Sequence, residues 1–213
     1  MLTVHHLGLS QSERVVWICE ELGISYELNR YDRGADGMAP KDYKALHPLG
    51  TSPIITDGEI VLPESGAIVE YINNKYGAGR LGVAPYAANY ASYLFWFHFA
   101  NGTMMPNEMI GLDGPPGTPE ALGGFMAPIM RERRKRSWAL VEQRLGEAAY
   151  FAGPDFTAAD VMMVFALTTM RAFAPWDASG YPNVLAYLQR IGGRPAYRRA
   201  MQKGDPELSP VLS

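Results

Sequence analysis

PIITDGEIVLPESGAIVEYINNKYG, residues 53–77, holds a hairpin and a helix back to back. Two apolar runs meet at Asp57-Gly58, a pair that favours the tight turn of a β-hairpin. From Glu64 onward the period changes: Ile68, Tyr71, Ile72 and Tyr76 recur on one helical face, and Gly77 supplies a stop. Toward the N-terminus, PKDYKALH reads as a short helix with Pro40 in its first turn, and ISYELNRY reads as a strand. VVWICEELG, entered from Arg14, suits a helix ended by Gly23, and LTVHHL at residues 2–7 suits another strand. The order up to residue 77 is therefore β-α-β-α-β-β-α.

Beyond it, GAGRLGVAP carries the Gly and Pro of a linker. Only helical patterns follow, at residues 86–103, 118–147, 157–173, 182–191 and 195–203. The chain divides into an α/β unit over 1–77, a linker over 78–86 and an all-helical unit over 87–213. Within the latter, FTAAD reads as Thr157 capping a helix while Asp160 returns to the cap's backbone N–H.

Composition removes several function classes. Of 213 residues 47% are hydrophobic, enough for a buried core, and a formal net charge of −3 gives no field to attract nucleic acid or an anionic membrane. The single cysteine, Cys19, excludes an internal disulfide framework and a multi-cysteine zinc site, and it fits a reducing compartment. The N-terminus lacks a basic start, and no stretch reaches the roughly 18 apolar residues of a membrane helix, so a cytoplasmic protein is expected. His5, His6, His47 and His98 lack metal-ligand spacing, and no metal is expected. GAGRLG follows a helix and not a strand, which argues against a nucleotide site. RERRKR at 131–136 reads as the solvated face of a long helix, and Cys19 as a small core residue.

Four motifs, LSQSER (9–14), HPLGTSPI (47–54), LPESGAIVEYI (62–72) and FTAADVMM (156–163), appear in that order. With the element order they closely resemble the cytosolic glutathione transferases, in particular serine-type theta-like and bacterial members, over essentially the whole chain. The resemblance implies an α/β thioredoxin-like N-terminal domain followed by an all-α C-terminal domain. It also implies glutathione as co-substrate and a homodimer.

The chemistry needed is thiol activation. A free thiol with a pKa of about 8.5 is only a few per cent ionised at neutral pH, and the thiolate is the nucleophile. Lowering that pKa by about 1.5 takes about 2 kcal/mol, within reach of one or two charge-assisted hydrogen bonds near a helix N-terminus. By the resemblance Ser10 is the donor, Arg14 supports it, and Ser12 is a capping or first-turn residue. Ser52 presents its backbone to the cysteinyl part of glutathione beside a cis bond to Pro53. Glu64 and Ser65 hold the ammonium and carboxylate of the γ-glutamyl end, and Lys41 reaches the glycyl carboxylate. Met38 and Thr51 depart from the histidine and lysine common in theta-like members at the glycyl end, and His47 replaces an asparagine in the turn before Pro48.

The aromatic segment NYASYLFWFHFANGTMMP places Tyr93 and Phe97 on one helical face. With Met104, and with Leu9 from the first loop, they are the expected walls of a pocket for a hydrophobic small-molecule electrophile. The Gly- and Pro-rich loop 111–124 admits a lid or a plain surface loop. The expected function is a glutathione transferase. Ether cleavage, dehalogenation, isomerisation or peroxide reduction on the same site remain open, as does a non-catalytic ligand- or partner-binding module.

Overall fold

The computed structural model describes residues 1–110, 126–175 and 177–213, so the 111–124 loop and the first residues of the helix expected from 118 lie outside the described residues. Two compact units are present: Met1–Ala87 with Arg190–Pro210, and Ala88–Gln189 with Val211–Ser213.

The first unit is built on a four-stranded mixed sheet of order β2-β1-β3-β4, from β1 (Leu2–Leu7), β2 (Glu27–Tyr31), β3 (Ile54–Asp57) and β4 (Ile60–Pro63). β1 runs parallel to β2 and antiparallel to β3, with Val4 opposite Leu28 on one side and Ile55 on the other. Every residue of β1 is buried, so this central strand lacks the one-sided alternation of a half-exposed strand. β3 and β4 form the expected hairpin. Asp57 pairs with Ile60, which leaves Gly58 and Glu59 as the turn, and Gly58 takes the left-handed φ of 61° that a two-residue turn requires.

Three helices follow the strands: α1 (Glu13–Leu22), the short α2 (Lys41–Lys44) and α3 (Ser65–Lys75). α1 is buried along almost its whole length. α9 (Pro195–Gly204), from the far end of the chain, packs on it: Trp17 meets Tyr197 edge to face at 4.9 Å, Arg194 pairs with Glu21 at 2.7 Å, and Arg199 and Lys203 both reach Glu20, at 2.9 and 2.6 Å. The sequence reading carried the helical unit unbroken from residue 87 to 213. Residues Arg190–Pro210 instead lie with the first unit, because α1 needs an apolar and cationic partner on this face.

The α3 face predicted from its period divides between two tasks. Ile68 and Ile72 are fully buried, each stabilising the fold by about 1.5–3 kcal/mol. The Tyr71 and Tyr76 hydroxyls donate to Asp57 at 2.8 and 2.6 Å, joined by Lys75 Nζ at 2.7 Å. The hairpin is thereby tied to the helix that follows it.

The second unit comprises α4 (Tyr90–Phe99), a π-helical turn (Ala100–Met104), α5 (Met105–Ile110), α6 (Met126–Glu147), α7 (Ala158–Leu167), a 3-10 turn (Thr169–Ala172) and most of α8 (Pro182–Gly192). α7 is buried at every position. Its start is the expected capping box: Thr157 N–H donates to Asp160 Oδ2 at 2.9 Å while Ala159 N–H donates to Thr157 Oγ1 at 3.3 Å. Asp160 also accepts from Phe151 N–H and from the Tyr187 hydroxyl, each at 3.0 Å, so it fastens three segments together. Burial pushes its carboxyl up to about 6 against the pull of these donors. Arg134, from the basic run, forks onto the buried Glu108 of α5 at 2.8 Å, whereas its neighbours in the run face solvent. Among the described residues, no helix is long and apolar enough to cross a membrane.

Two outcomes are expected. Lys75 and Tyr76 lead the donors that hold the Asp57 carboxyl well below the usual carboxylate range, outweighing its burial. Its stabilising contribution is therefore fully present above that range and is lost as pH falls below it toward the depressed value of the folded state. Denaturant melts of Asp57→Asn should show a deficit at neutral pH that closes under acid. Asp160→Ala removes the shared acceptor of four buried donors and should cost about 3 kcal/mol in the same assay at neutral pH.

Candidate functional site

β1 hands the chain to α1 through Gly8–Ser12, and the polar groups of this turn are satisfied from distant parts of the first unit. Arg33 donates to the carbonyls of Gly8 and Leu9 at 2.9 and 3.2 Å, and Leu9 N–H donates to Asp205 Oδ1 at 2.9 Å. Leu9, a half-buried residue, sits at a φ of 53°, which turns the chain back toward the sheet. Ser10 follows. Its hydroxyl lies 2.7 Å from Leu7 O, 2.8 Å from Ser12 Oγ and 2.8 Å from Ser52 Oγ, and it accepts from Ser12 N–H at 3.2 Å. Ser52 is the residue before Pro53, and the Ser52–Pro53 bond is cis.

Ser12, expected as a capping or first-turn residue, opens α1 without capping it by its side chain. It occupies the N-cap position of α1, but its backbone is already helical (φ −67°, ψ −14°) and its side chain makes no capping bond. That conformation turns the hydroxyl back toward β1, where it contacts His6 Nδ1 at 2.8 Å and accepts from Leu7 N–H at 3.1 Å. His6, wholly buried, reaches Asp205 Oδ2 through Nε2 at 3.1 Å.

The first turn of α1 also connects to the start of α3. Arg14, fully buried, donates through Nη1 to Gln11 Oε1 and to Ser65 Oγ, the latter at 3.1 Å. Burial pulls the guanidinium down to about 9, with Glu13 acting in the opposite direction. Ser65 opens α3. Glu64, exposed immediately before it, has a φ of 72° and a ψ of 111°, a conformation most side chains avoid. An exposed carboxylate beside a helix N-terminus offers one partner to a cation and another to an anion.

The turn thus brings Ser10, Ser12, Ser52 and Pro53 together, with Arg14 linking them to Ser65. Lys41 stands exposed at the first residue of α2, and Met38 and Thr51 are exposed as well. His47 Nδ1 accepts from Leu49 N–H at 3.2 Å, a turn-forming contact. Tyr93, Phe97 and Met104 belong to the second unit, where they are buried, and the Tyr93 and Phe97 rings lie 5.8 Å apart. Cys19 is buried in α1, and burial pushes its thiol far above the ordinary range, which leaves it inert. His6, Gln11, Arg33 and Asp205 were not among the sequence candidates. The one signal for His6 was a pair of histidines inside an otherwise apolar strand.

Comparison with known proteins places the whole chain in one family. A family model described as "Glutathione S-transferase, N-terminal domain" matches residues 10–75, and its C-terminal counterpart matches residues 115–190. Glutathione S-transferase 3 of Schizosaccharomyces pombe is 32% identical, covering 100% of this chain and 92% of that protein. A glutathione S-transferase crystal structure from Actinobacillus pleuropneumoniae superposes with a TM-score of 0.86 at 32% identity, covering 96% of this chain and 93% of that one. A sphingomonad glutathione S-transferase solved with glutathione shares the fold, with a TM-score of 0.75 at 23% identity over 95% of this chain and 98% of that one.

The backbone at Glu64 yields a prediction that concerns stability alone. Glu64→Gly should raise stability by about 1 kcal/mol, since glycine adopts this conformation without strain, whereas Glu64→Ala should not. Chemical denaturation of the two variants beside the parent checks it.

Proposed function

This chain belongs to the glutathione S-transferase family, and from that premise we propose that it activates the thiol of glutathione through the Ser10 hydroxyl and adds the sulfur to a small hydrophobic electrophile. The observation that carries the reading is the 2.8 Å contact between Ser10 Oγ and Ser52 Oγ beside the cis Pro53 bond. An extended cysteinyl residue pairing with the Ser52 backbone would carry its sulfur toward Ser10, next to the start of α1. A hydroxyl donor and a helix N-terminus both favour the anionic form of that sulfur.

Glu64 and Ser65 take the γ-glutamyl ammonium and carboxylate, and Arg14 positions Ser65. Lys41 takes the glycyl carboxylate, the end of glutathione where Met38 and Thr51 depart from the resemblance. Of the apolar candidates, Leu9 adjoins Ser10 in the first loop and is the one taken to meet the electrophile beside the sulfur. The same reading takes the protein as a cytoplasmic homodimer, supported by a sequence with one cysteine and by Phe95, which is 49% exposed on α4.

The test is the ultraviolet thiolate absorbance of bound glutathione titrated against pH. The parent should ionise the thiol well below its ordinary range. Ser10→Ala should bind glutathione with little change while the ionisation returns toward that range and kcat/KM falls about a hundredfold. Bound glutathione that ionises alike in both proteins would reject Ser10 as the donor.

A further inference from the structure

Ser10 begins a chain of side chains that the transferase reading does not use. From Ser10 Oγ it runs 2.8 Å to Ser12 Oγ, 2.8 Å to His6 Nδ1, and from His6 Nε2 3.1 Å to Asp205 Oδ2. All four residues are buried. We infer that this chain is a proton relay in which His6 receives the glutathione thiol proton through Ser10 and Ser12, with Asp205 holding the ring. The inference rests on the Ser10 reading above and extends it to the fate of the proton.

The hydrogen-bond roles give the resting direction. Burial raises the Asp205 carboxyl, but the bonds from His6 and from Leu9 N–H outweigh that and hold it below its ordinary range. As a carboxylate it only accepts, so Nε2 carries the ring proton and Nδ1 is an acceptor. Ser12, which already accepts from Leu7 N–H, directs its own proton to Nδ1. Ser12 Oγ then has a lone pair for the Ser10 proton, for which it competes with Leu7 O, an acceptor 2.7 Å from Ser10 Oγ. Every hydroxyl points inward, and Ser10 has no proton aimed at an incoming sulfur.

Transfer reverses the bonds from Ser10 to Ser12 and from Ser12 to His6, and leaves the bond from His6 to Asp205 as it was. The S–H proton passes to Ser10 Oγ, the Ser10 proton to Ser12 Oγ, and the Ser12 proton to Nδ1. One S–H bond is broken and one N–H bond made, each hydroxyl exchanges one proton for another, and no electrons are lost or gained. Ser10 then donates to the thiolate, Ser12 donates to Ser10, and the imidazolium donates to Ser12 and Asp205. After the sulfur has reacted, release of a proton to water at the Ser10 end resets the chain. An ordinary thiol holds its proton about a hundredfold more tightly than an ordinary imidazole, so the ring needs the carboxylate beside it.

The surroundings are built for that pair. Gly204, at the end of α9, comes so close that a Cβ there would lie 3.0 Å from His6 Nε2. The other charged groups near the dyad are Arg30, opposite His6 on β2, with its partners Asp32 and Glu207 at 3.2 and 2.9 Å. Arg33 binds the Gly8–Leu9 carbonyls of the intervening turn. His6 and Asp205 act through the serines and are positioning residues for the thiol chemistry.

Nitrogen-15 NMR of the His6 ring in the full-length parent tests the relay, with the signal assigned by its loss in His6→Gln. As glutathione is added and the thiolate band appears, the ring should change from one protonated nitrogen to two. In Ser12→Ala the ring should stay in its resting form, and ionisation of bound thiol should need about tenfold lower proton concentration. The isosteric Asp205→Asn keeps an acceptor for Leu9 N–H and should shift ionisation in the same direction. A parent thiolate that forms while the ring stays neutral overturns the relay. If Ser10→Ala abolishes that thiolate, the Ser10 reading survives the relay's failure; if it leaves the thiolate intact, both fall together.

Discussion

The bond from Leu9 N–H to Asp205, spanning 196 residues of sequence, is the constraint on which the site depends. A sharp connection between a buried strand and a buried helix exposes main-chain groups that no ladder or helix can satisfy. Here they are satisfied by side chains from three places: Arg33 after β2, Ser12 within the turn, and Asp205 after α9. Because the partners are charged or hydroxylic and mostly buried, the turn has one low-energy arrangement, and Ser10 is held on four sides. The rigidity comes from polar satisfaction more than from apolar packing, since the turn itself contributes only Leu9 to the apolar contacts.

The same logic extends to the start of α3. Arg14 is a large cation with no exposure, which would be costly without its bonds to Gln11 and Ser65. Those bonds put the first turns of α1 and α3 in register with each other. Two helix N-termini are thereby organised in one unit, one beside Ser10 and one at Ser65. An anionic group would meet a favourable field at either place.

How much of this was legible in the sequence depended on range. The hairpin at Asp57–Ile60 and the helix from Ser65 were readable because turn chemistry and period act over a few residues. The capping box of Thr157 and Asp160 was readable for the same reason, although the further bonds of Asp160 to Phe151 and Tyr187 were not. Ser12, read as a capping or first-turn residue, does open α1, but the partner of its hydroxyl is on the preceding strand, which a local signature does not show. His6 was invisible as a site residue because Asp205 gives it meaning from 199 positions away. The break after α7 at Thr168 was also missed: its φ of −123° and ψ of −92° end the helix without Gly or Pro. The resemblance located Ser10 and Ser52 in separate motifs, but their 2.8 Å contact is a product of the fold.

The placement of α9 bears on how the chain is made. Residues Arg190–Pro210 complete a unit begun by the first 87 residues, so the second unit is, along the sequence, an insertion within the first. During synthesis the sheet, α1 and α3 emerge early, yet the apolar flank of Trp17 and the carboxylates of Glu20 and Glu21 wait for their partners until the last helix leaves the ribosome. The helical unit has its own core and can form meanwhile. The nascent protein is thus committed to a folding order in which the segment that starts first finishes last, and a ribosome stalled short of residue 205 leaves the strand-to-helix turn without the carboxylate that anchors it.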